Sequence, residues 1–289
     1  MPNGIINLTF DFDALSFWIY EGQTSPAPIS RGEFGAHAIE RLLHLFSSRG
    51  IKITFFIPGH TIDTYPDQCR AIVAAGHEVG LHGYLHEPVS ALTPEQERAV
   101  FHRAFDIIGN LTGAPPRGSR TPGWDYTPHT IEIMLELGLL YDTSLMSTDY
   151  SPFYSRKGDI FHEDGRVEWG DQTPLVQLPV SWSLDDFPHF EFMAMPGGGY
   201  VQGLKTARDV YKNFTDDVLY MDRDFEQGVV NLTCHPFVSG RGHRFLALET
   251  FIDEMLSRGL RFECCDTVAQ RFRDGQTFGV YKPQRREPA

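Results

Sequence analysis

Short apolar runs alternate with amphipathic stretches along the chain, a pattern that predicts parallel β/α units. Strands are expected near residues 5–10, 52–57, 78–82, 139–143, 175–179, 229–234 and 260–264, separated mostly by helical patterns. The first run, Ile5-Ile6-Asn7-Leu8-Thr9-Phe10, reads as a buried strand and ends in Asp11-Phe12-Asp13. Residues two apart on a strand share a face, so Asp11 and Asp13 converge if the extended geometry persists past Phe10. Two ordinary acids in a solvated loop are the alternative, and the spacing alone does not choose between them.

Local punctuation supports the alternation. Thr93 before Pro94, with Gln96 three residues on, is a capping-box signal, and Thr127-Pro128 repeats the cap-then-proline pattern. Gly50, Gly76, Gly113 and Gly259 each follow a helical run and mark a return towards a strand. From about Ser144 to Gly203 the rhythm breaks into a stretch rich in Pro, Gly, Tyr, Trp and Asp. An elaborated loop region is expected there, with room for a hairpin, over one end of the sheet. Within it, Met195-Pro196-Gly197-Gly198-Gly199-Tyr200 lacks the Lys-Ser/Thr of a phosphate loop and reads as a hinge or tight turn. No low-complexity linker or fixed-period repeat divides the chain, so a single domain spanning 1–289 is expected.

His82 and His86 directly follow the expected strand at Glu78, at the end where parallel α/β folds collect active-site groups. Their i,i+4 spacing in one helical turn would present both imidazoles to one ion, while Gly83 and Pro88 limit that turn to a short one. With Asp13 they make a set of two imidazoles and one carboxylate, which leaves coordination positions for water and substrate on a zinc-like ion. Asp11 then remains free for proton transfer. His235 follows the run Val229 to Cys234 and also falls at a strand end, although a satisfied structural histidine reads equally well there. Arg120 in Arg-Thr-Pro-Gly-Trp, and Asp185-Asp186 after Leu178-Pro179-Val180-Ser181-Trp182, are bland one at a time. Phe17, Trp18, Tyr20, Trp124, Trp182 and Phe187 could line a pocket around the ion, with core packing as the ordinary alternative. His60, His189, His243 and Arg244 are second-tier site residues.

Composition narrows the partners. The 289 residues are 41% hydrophobic, enough for a sizeable core, and 38 acidic against 25 basic side chains give a formal charge of -13. That balance opposes nucleic acid or an anionic membrane and suits a small neutral or cationic molecule. Cys69, Cys234, Cys264 and Cys265 show no disulfide spacing, and Cys264-Cys265 reads as part of a buried strand in a reducing compartment. The N-terminus lacks a secretory pattern and no apolar run approaches a membrane span, so a cytoplasmic location is expected.

Taken in order, these motifs resemble the five motifs of the polysaccharide deacetylase superfamily, NodB-like proteins of carbohydrate esterase family 4. The resemblance covers Leu8 to about Gly242. Asp11-Phe12-Asp13 replaces the adjacent aspartates of common members, and no glycine follows. In this the chain looks more like the cytoplasmic branch with the Helicobacter-type peptidoglycan deacetylase homologue, the allantoinase-like proteins and the cyclic imidases. Phe55 to His60, Gly76-His77-Glu78 and Leu178 to Trp182 resemble that branch too.

The resemblance implies an α/β fold, a distorted (β/α) barrel, and a hydrolase acting on non-peptide carbon–nitrogen bonds. It implies Asp13, His82 and His86 as ligands of one divalent ion, zinc first and cobalt or nickel after it. Asp11 would be the base, Arg120 its orienter and His235 the acid, with Asp185 or Asp186 supporting His235. Gly123 stands where a tyrosine is usual, which keeps the backbone donor for an oxyanion but not the side-chain wall. The missing export signal ranks small cyclic imides or ureides ahead of N-acetyl sugars or peptidoglycan. A non-catalytic module with a structural metal is the reading from another class. Assembly as a homotetramer is implied by resemblance alone.

Overall fold

The computed structural model describes residues 4–194 and 200–282, so the glycine-rich stretch from Met195 to Gly199 lies outside the described residues. Five strands come first: β1 (Ile5–Asp11), β2 (Thr54–Ile57), β3 (Glu78–Leu81), β4 (Gly118–Ser119) and β5 (Tyr141–Asp142). The middle of the chain adds β6 (Phe153–Lys157), β7 (Ile160–Phe161), β8 (Val167–Glu168), β9 (Asp171–Gln177), β10 (Phe192–Ala194) and β11 (Tyr200–Gln202). Then follow β12 (Phe225–Glu226), β13 (Val229–Cys234), β14 (Arg261–Phe262) and β15 (Val280–Tyr281).

The main sheet runs β13-β1-β2-β3-β4-β5-β9-β6, with β14 set against the start of β1. Every pairing in it is parallel except β6 with β9, so the expectation of parallel β/α units is borne out and the sheet curls into the distorted barrel. The Val229 N–H donates to Tyr150 O at 2.9 Å, which ties β13 to the segment entering β6. The alternation along β1 divides two cores. Ile6, Leu8, Phe10 and Phe12 join the large one packed with the helices. Ile5 belongs to a smaller one with Phe56, Tyr141, Val176 and Val229. The extended geometry does persist beyond Phe10, because the Phe12 N–H donates to Phe56 O at 2.8 Å.

Both predicted caps form. Thr93 and Gln96 make a reciprocal capping box at the helix Pro94–Thr112, which closes on Gly113 at φ +78°. Thr127 and Thr130 do the same for Pro128–Glu136.

Three local readings change. The region 144–203 contains real strands: β9 begins at Asp171, includes Pro174, and pairs with β6 across a register shift between Tyr154 and Arg156. Proline cannot donate to a ladder, and a bulge beside it accommodates the missing N–H. Cys264 and Cys265 are not in a strand. Cys264 caps the helix Cys265–Arg273, whose first N–H groups are taken by Thr54 Oγ1 at 2.9 Å and Glu78 Oε2 at 3.2 Å. Among the parallel strands of the main sheet, β4, only two residues long, is the unforeseen one. A Cβ at Gly118 would lie 2.0 Å from the Tyr141 ring, so only glycine lets these strands pair with that ring between them.

Beside β4, a buried polar chain fixes the loop that carries Arg120. Thr121 N–H donates to Ser144 Oγ at 2.9 Å, and Ser144 Oγ–H donates to Asp142 Oδ1 at 2.9 Å. Asp142 and Gln177 are register partners on β5 and β9, yet Asp142 Oδ2 and Gln177 Oε1 are both buried without a donor. A proton on Oδ2, directed at the Gln177 amide oxygen on the neighbouring strand, would give each oxygen a partner. Burial pushes the Asp142 carboxyl up to about 7, against the opposing hydrogen bond of Ser144 and the charge of Arg120.

Two outcomes follow. Gly118→Ala, by overpacking against Tyr141, is expected to lower unfolding stability by about 1–3 kcal/mol in urea denaturation. For Asp142, the folded state holds its proton up to about pH 7 while the unfolded carboxyl releases it near 3.8, so this group's contribution falls as pH rises through that window. Asp142→Asn, neutral at every pH and able to donate to Gln177, should therefore gain stability relative to wild type between pH 5 and pH 8. A difference independent of pH would remove the neutral-acid reading.

Candidate active site

The C-terminal ends of β1, β3, β4 and β13 deliver the predicted residues to one place. Asp11 ends β1 and Asp13 follows it; His82 directly follows β3, Arg120 β4 and His235 β13. His82 and His86 do not share a helical turn. The segment between them is irregular, with Gly83 at φ +67° and His86 at φ +61°, and Glu87 organises it by accepting the Tyr84 and Leu85 N–H groups at 3.0 and 2.8 Å. This tight loop, rather than helical periodicity, aims both imidazoles at Asp13. Their Nε2 atoms lie 3.4 Å from Asp13 Oδ1 and 3.8 Å from Asp13 Oδ2, respectively.

The His82 Nδ1 position is set by the Arg120 carbonyl at 2.8 Å, which accepts the Nδ1–H and leaves Nε2 as a lone pair. His82 Nε2 and Asp13 Oδ1 are both buried with no hydrogen-bond partner among the described residues. Two orphaned acceptors facing each other call for a cation between them, and two imidazoles with one carboxylate suit a divalent ion of the zinc type. Burial pushes the His86 pKa down to about 4, so this imidazole is neutral at pH 7 and ready to coordinate. Burial would raise Asp13, but His86, His82 and His235 outweigh it and hold this carboxyl below the usual range.

Arg120 is fully buried. Its Nη1 donates to Asp11 Oδ1 and Thr9 Oγ1, both at 2.7 Å, its Nε donates to Thr143 O at 3.3 Å, and the guanidinium lies 4.4 Å over the Phe56 ring. One oxygen of Asp11 is thus committed to Arg120, while Oδ2 lies 3.7 Å from His82 Nε2.

Of the two candidate partners of His235, Asp186 is the closer: its Oδ1 lies 2.7 Å from His235 Nδ1, against 3.7 Å for Asp185. Asp186 Oδ2 also accepts the His235 backbone N–H at 3.0 Å and the Ser239 hydroxyl. Asp185 instead caps the short helix Asp186–Phe190 by accepting the Phe187 N–H at 2.8 Å. Burial alone would lower His235, but the hydrogen bond to Asp186 and the charges of Asp185, Asp186 and Asp13 hold its imidazolium well above the ordinary histidine range.

These groups line a cavity of about 150 Å³ with Phe17, Gly123, Trp124, Trp182 and Phe187. Gly123 sits at φ +60°, a conformation that glycine adopts without strain, in a turn between Pro122 and Trp124. Trp124 and Trp182 stack with ring centroids 4.3 Å apart, and Trp182, 47% exposed, forms the rim. Phe17, Trp124 and Trp182 are therefore wall residues, and Phe187 joins them. His60, His189, His243 and Arg244 do not line this cavity: His189 bonds Ser183 O and Arg244 pairs with Glu191. Glu87, Thr143 and Ser239 went unnoticed in the sequence. Only Glu87, adjacent to His86, carried any positional signal.

The polysaccharide deacetylase family model matches residues 2–141. The peptidoglycan deacetylase of Helicobacter pylori is 37% identical over 276 residues, 91% of this chain and 94% of that protein. A peptidoglycan deacetylase-like protein of Gibberella zeae is 31% identical over 82% of this chain and 76% of its own length. Among solved structures, a Mycobacterium smegmatis polysaccharide deacetylase candidate superposes with a TM-score of 0.81 at 29% identity, covering 99% of this chain and 96% of that one. An allantoinase shares the fold at 22% identity, with a TM-score of 0.76 over 95% of this chain and 92% of its own. The likeness read from the five motifs thus holds across nearly the whole chain: the protein belongs to the polysaccharide deacetylase family, hydrolases of carbon–nitrogen bonds other than peptide bonds.

Proposed function

We propose that the protein hydrolyses the amide bond of a small cyclic imide, ureide or related amide, with Asp13, His82 and His86 holding one divalent ion, zinc before cobalt or nickel. When bound, such an ion supplies polarisation of the carbonyl and acidification of water. Asp11 is the base. Arg120 fixes one of its oxygens at 2.7 Å, so the other is the one presented to the attacking water. The Gly123 backbone N–H is the donor for the oxyanion that develops on the carbonyl oxygen. His235 delivers a proton from Nε2 to the departing nitrogen, while Asp186 holds Nδ1 and favours the protonated imidazole. Amide nitrogen leaves poorly without that proton. The observation carrying this reading is that the groups assigned as base and acid each lie within 4 Å of a proposed ligand residue: Asp11 Oδ2 is 3.7 Å from His82, and His235 Nε2 is 3.8 Å from Asp13.

The choice of a small planar substrate rests on the cavity. About 150 Å³ walled by Phe17, Phe187 and the Trp124–Trp182 pair suits a flat ring better than a polymer. Deacetylation of an N-acetyl sugar in peptidoglycan is the second reading, favoured by the 37% identity with the Helicobacter pylori enzyme.

Metal analysis and turnover on a panel of cyclic imides, ureides and N-acetyl sugars separate the two. Faster turnover of N-acetyl sugars than of every imide and ureide would select the second. On the best substrate, Asp13→Ala should lose both metal and turnover. His235→Ala should lower kcat by about 10²–10⁴-fold with little change in KM. Asp186→Asn should cost more than Asp185→Asn, and wild-type turnover in Asp13→Ala or His235→Ala would sink the assignment.

A further inference from the structure

Asp11, Asp13 and Asp185 are the carboxylates that line the active cavity, and only the first two have a chemical task, as base and as ligand. Asp185 so far only caps a helix. A parallel bridge to Thr233, two residues before His235, holds its backbone beside the end of β13. Its Oδ1 accepts the Phe187 N–H at 2.8 Å, whereas Oδ2 accepts nothing among the described residues. The residue is 5% exposed, its free oxygen is not sealed in, and the cavity it lines is the active one. Asp186 differs on each count: it has no exposure and is spent on His235 and Ser239.

Burial pushes the Asp185 carboxyl up to about 7, against the charge of His235. A carboxylate so poorly hydrated gains from any donor that a ligand brings. Its position says which part of the ligand that is. Asp185 Oδ1 lies 3.7 Å from His235 Nδ1, so the carboxyl flanks the imidazole assigned to protonate the departing nitrogen. The aromatic wall suits a flat ring, and in such a ring the donor nearest the departing nitrogen, across one carbonyl, is a second N–H.

Building on the proposed hydrolysis of a small cyclic amide, we propose that Asp185 is a specificity-determining residue that accepts this second N–H through Oδ2, which makes the substrate a cyclic ureide rather than a plain imide. A plain imide carries a CH2 group at that place and leaves a buried carboxylate without a donor. A site built for a hydrogen bond rejects such an analogue strongly.

Hydantoin and succinimide test the assignment, because succinimide is the same ring with CH2 in place of that N–H. Values of kcat/KM are measured on both with the metal-replete wild type and with Asp185→Asn, whose amide oxygen still accepts the Phe187 N–H while its nitrogen replaces Oδ2 with a donor. The hydantoin-to-succinimide ratio should fall by at least about tenfold, mainly through a higher KM for hydantoin. A merely structural role lowers both substrates together and leaves the ratio alone. Should Asp185→Asn not fold, Asp185→Ser, which keeps a helix cap, reads the same ratio. An unchanged ratio, or a wild type that hydrolyses succinimide and not hydantoin, overturns the role of Asp185 and leaves cyclic-amide hydrolysis standing. A wild type that turns over neither ring overturns both.

Discussion

A guanidinium with no exposure to water must find every partner inside the protein, and Arg120 meets that demand by joining four strands. Its side chain binds Asp11 and Thr9 on β1 and Thr143 just after β5, and stacks over Phe56 of β2. Its own carbonyl holds His82 after β3. The same residue therefore fixes the carboxylate assigned as base and the tautomer of one proposed ligand. Removing its side chain would leave the Asp11 carboxylate buried without its cation, while the backbone carbonyl would still hold His82.

The other half of the site is built by the same rule of buried charge finding buried partners. Asp186 has no solvent exposure and accepts from the His235 ring, the His235 backbone and Ser239, so its carboxylate is saturated on the side facing the site. Asp142 meets burial differently, by holding its proton opposite Gln177 on the neighbouring strand. Through Ser144 it steadies Thr121, the residue between Arg120 and the Pro122–Trp124 turn. Ion pairing and neutralisation thus serve one geometry. The aromatic wall of Phe17, Trp124, Trp182 and Phe187 then limits how much water shares the cavity with a reacting amide.

Much of this architecture was visible in the residue pattern. Strands with several apolar residues, such as Ile5–Asp11 and Val229–Cys234, stand out because burial on both faces demands an unbroken apolar run. β4 was invisible: two residues carry no periodicity, and glycine argues against a strand unless the Tyr141 ring that needs its bare backbone is known to lie there. The start of β9 was hidden by Pro174, which a bulge in β9 itself makes acceptable. Glu87 was passed over because its work, accepting two backbone N–H groups, leaves no spacing signature.

By itself, the sequence determined the parallel alternation, the helix caps and the placement of Asp11, Asp13, His82 and His235 at strand ends, since all of these depend on contacts between near neighbours. Only the tertiary structure decided that Asp186 rather than Asp185 meets His235, that Arg120 also reaches Thr9 and Thr143, and that Trp124 packs on Trp182. Adjacent aspartates have equal local claims. Which one turns inward follows from the helix start that engages Asp185 as its cap and from the sheet order that sets β13 beside β1.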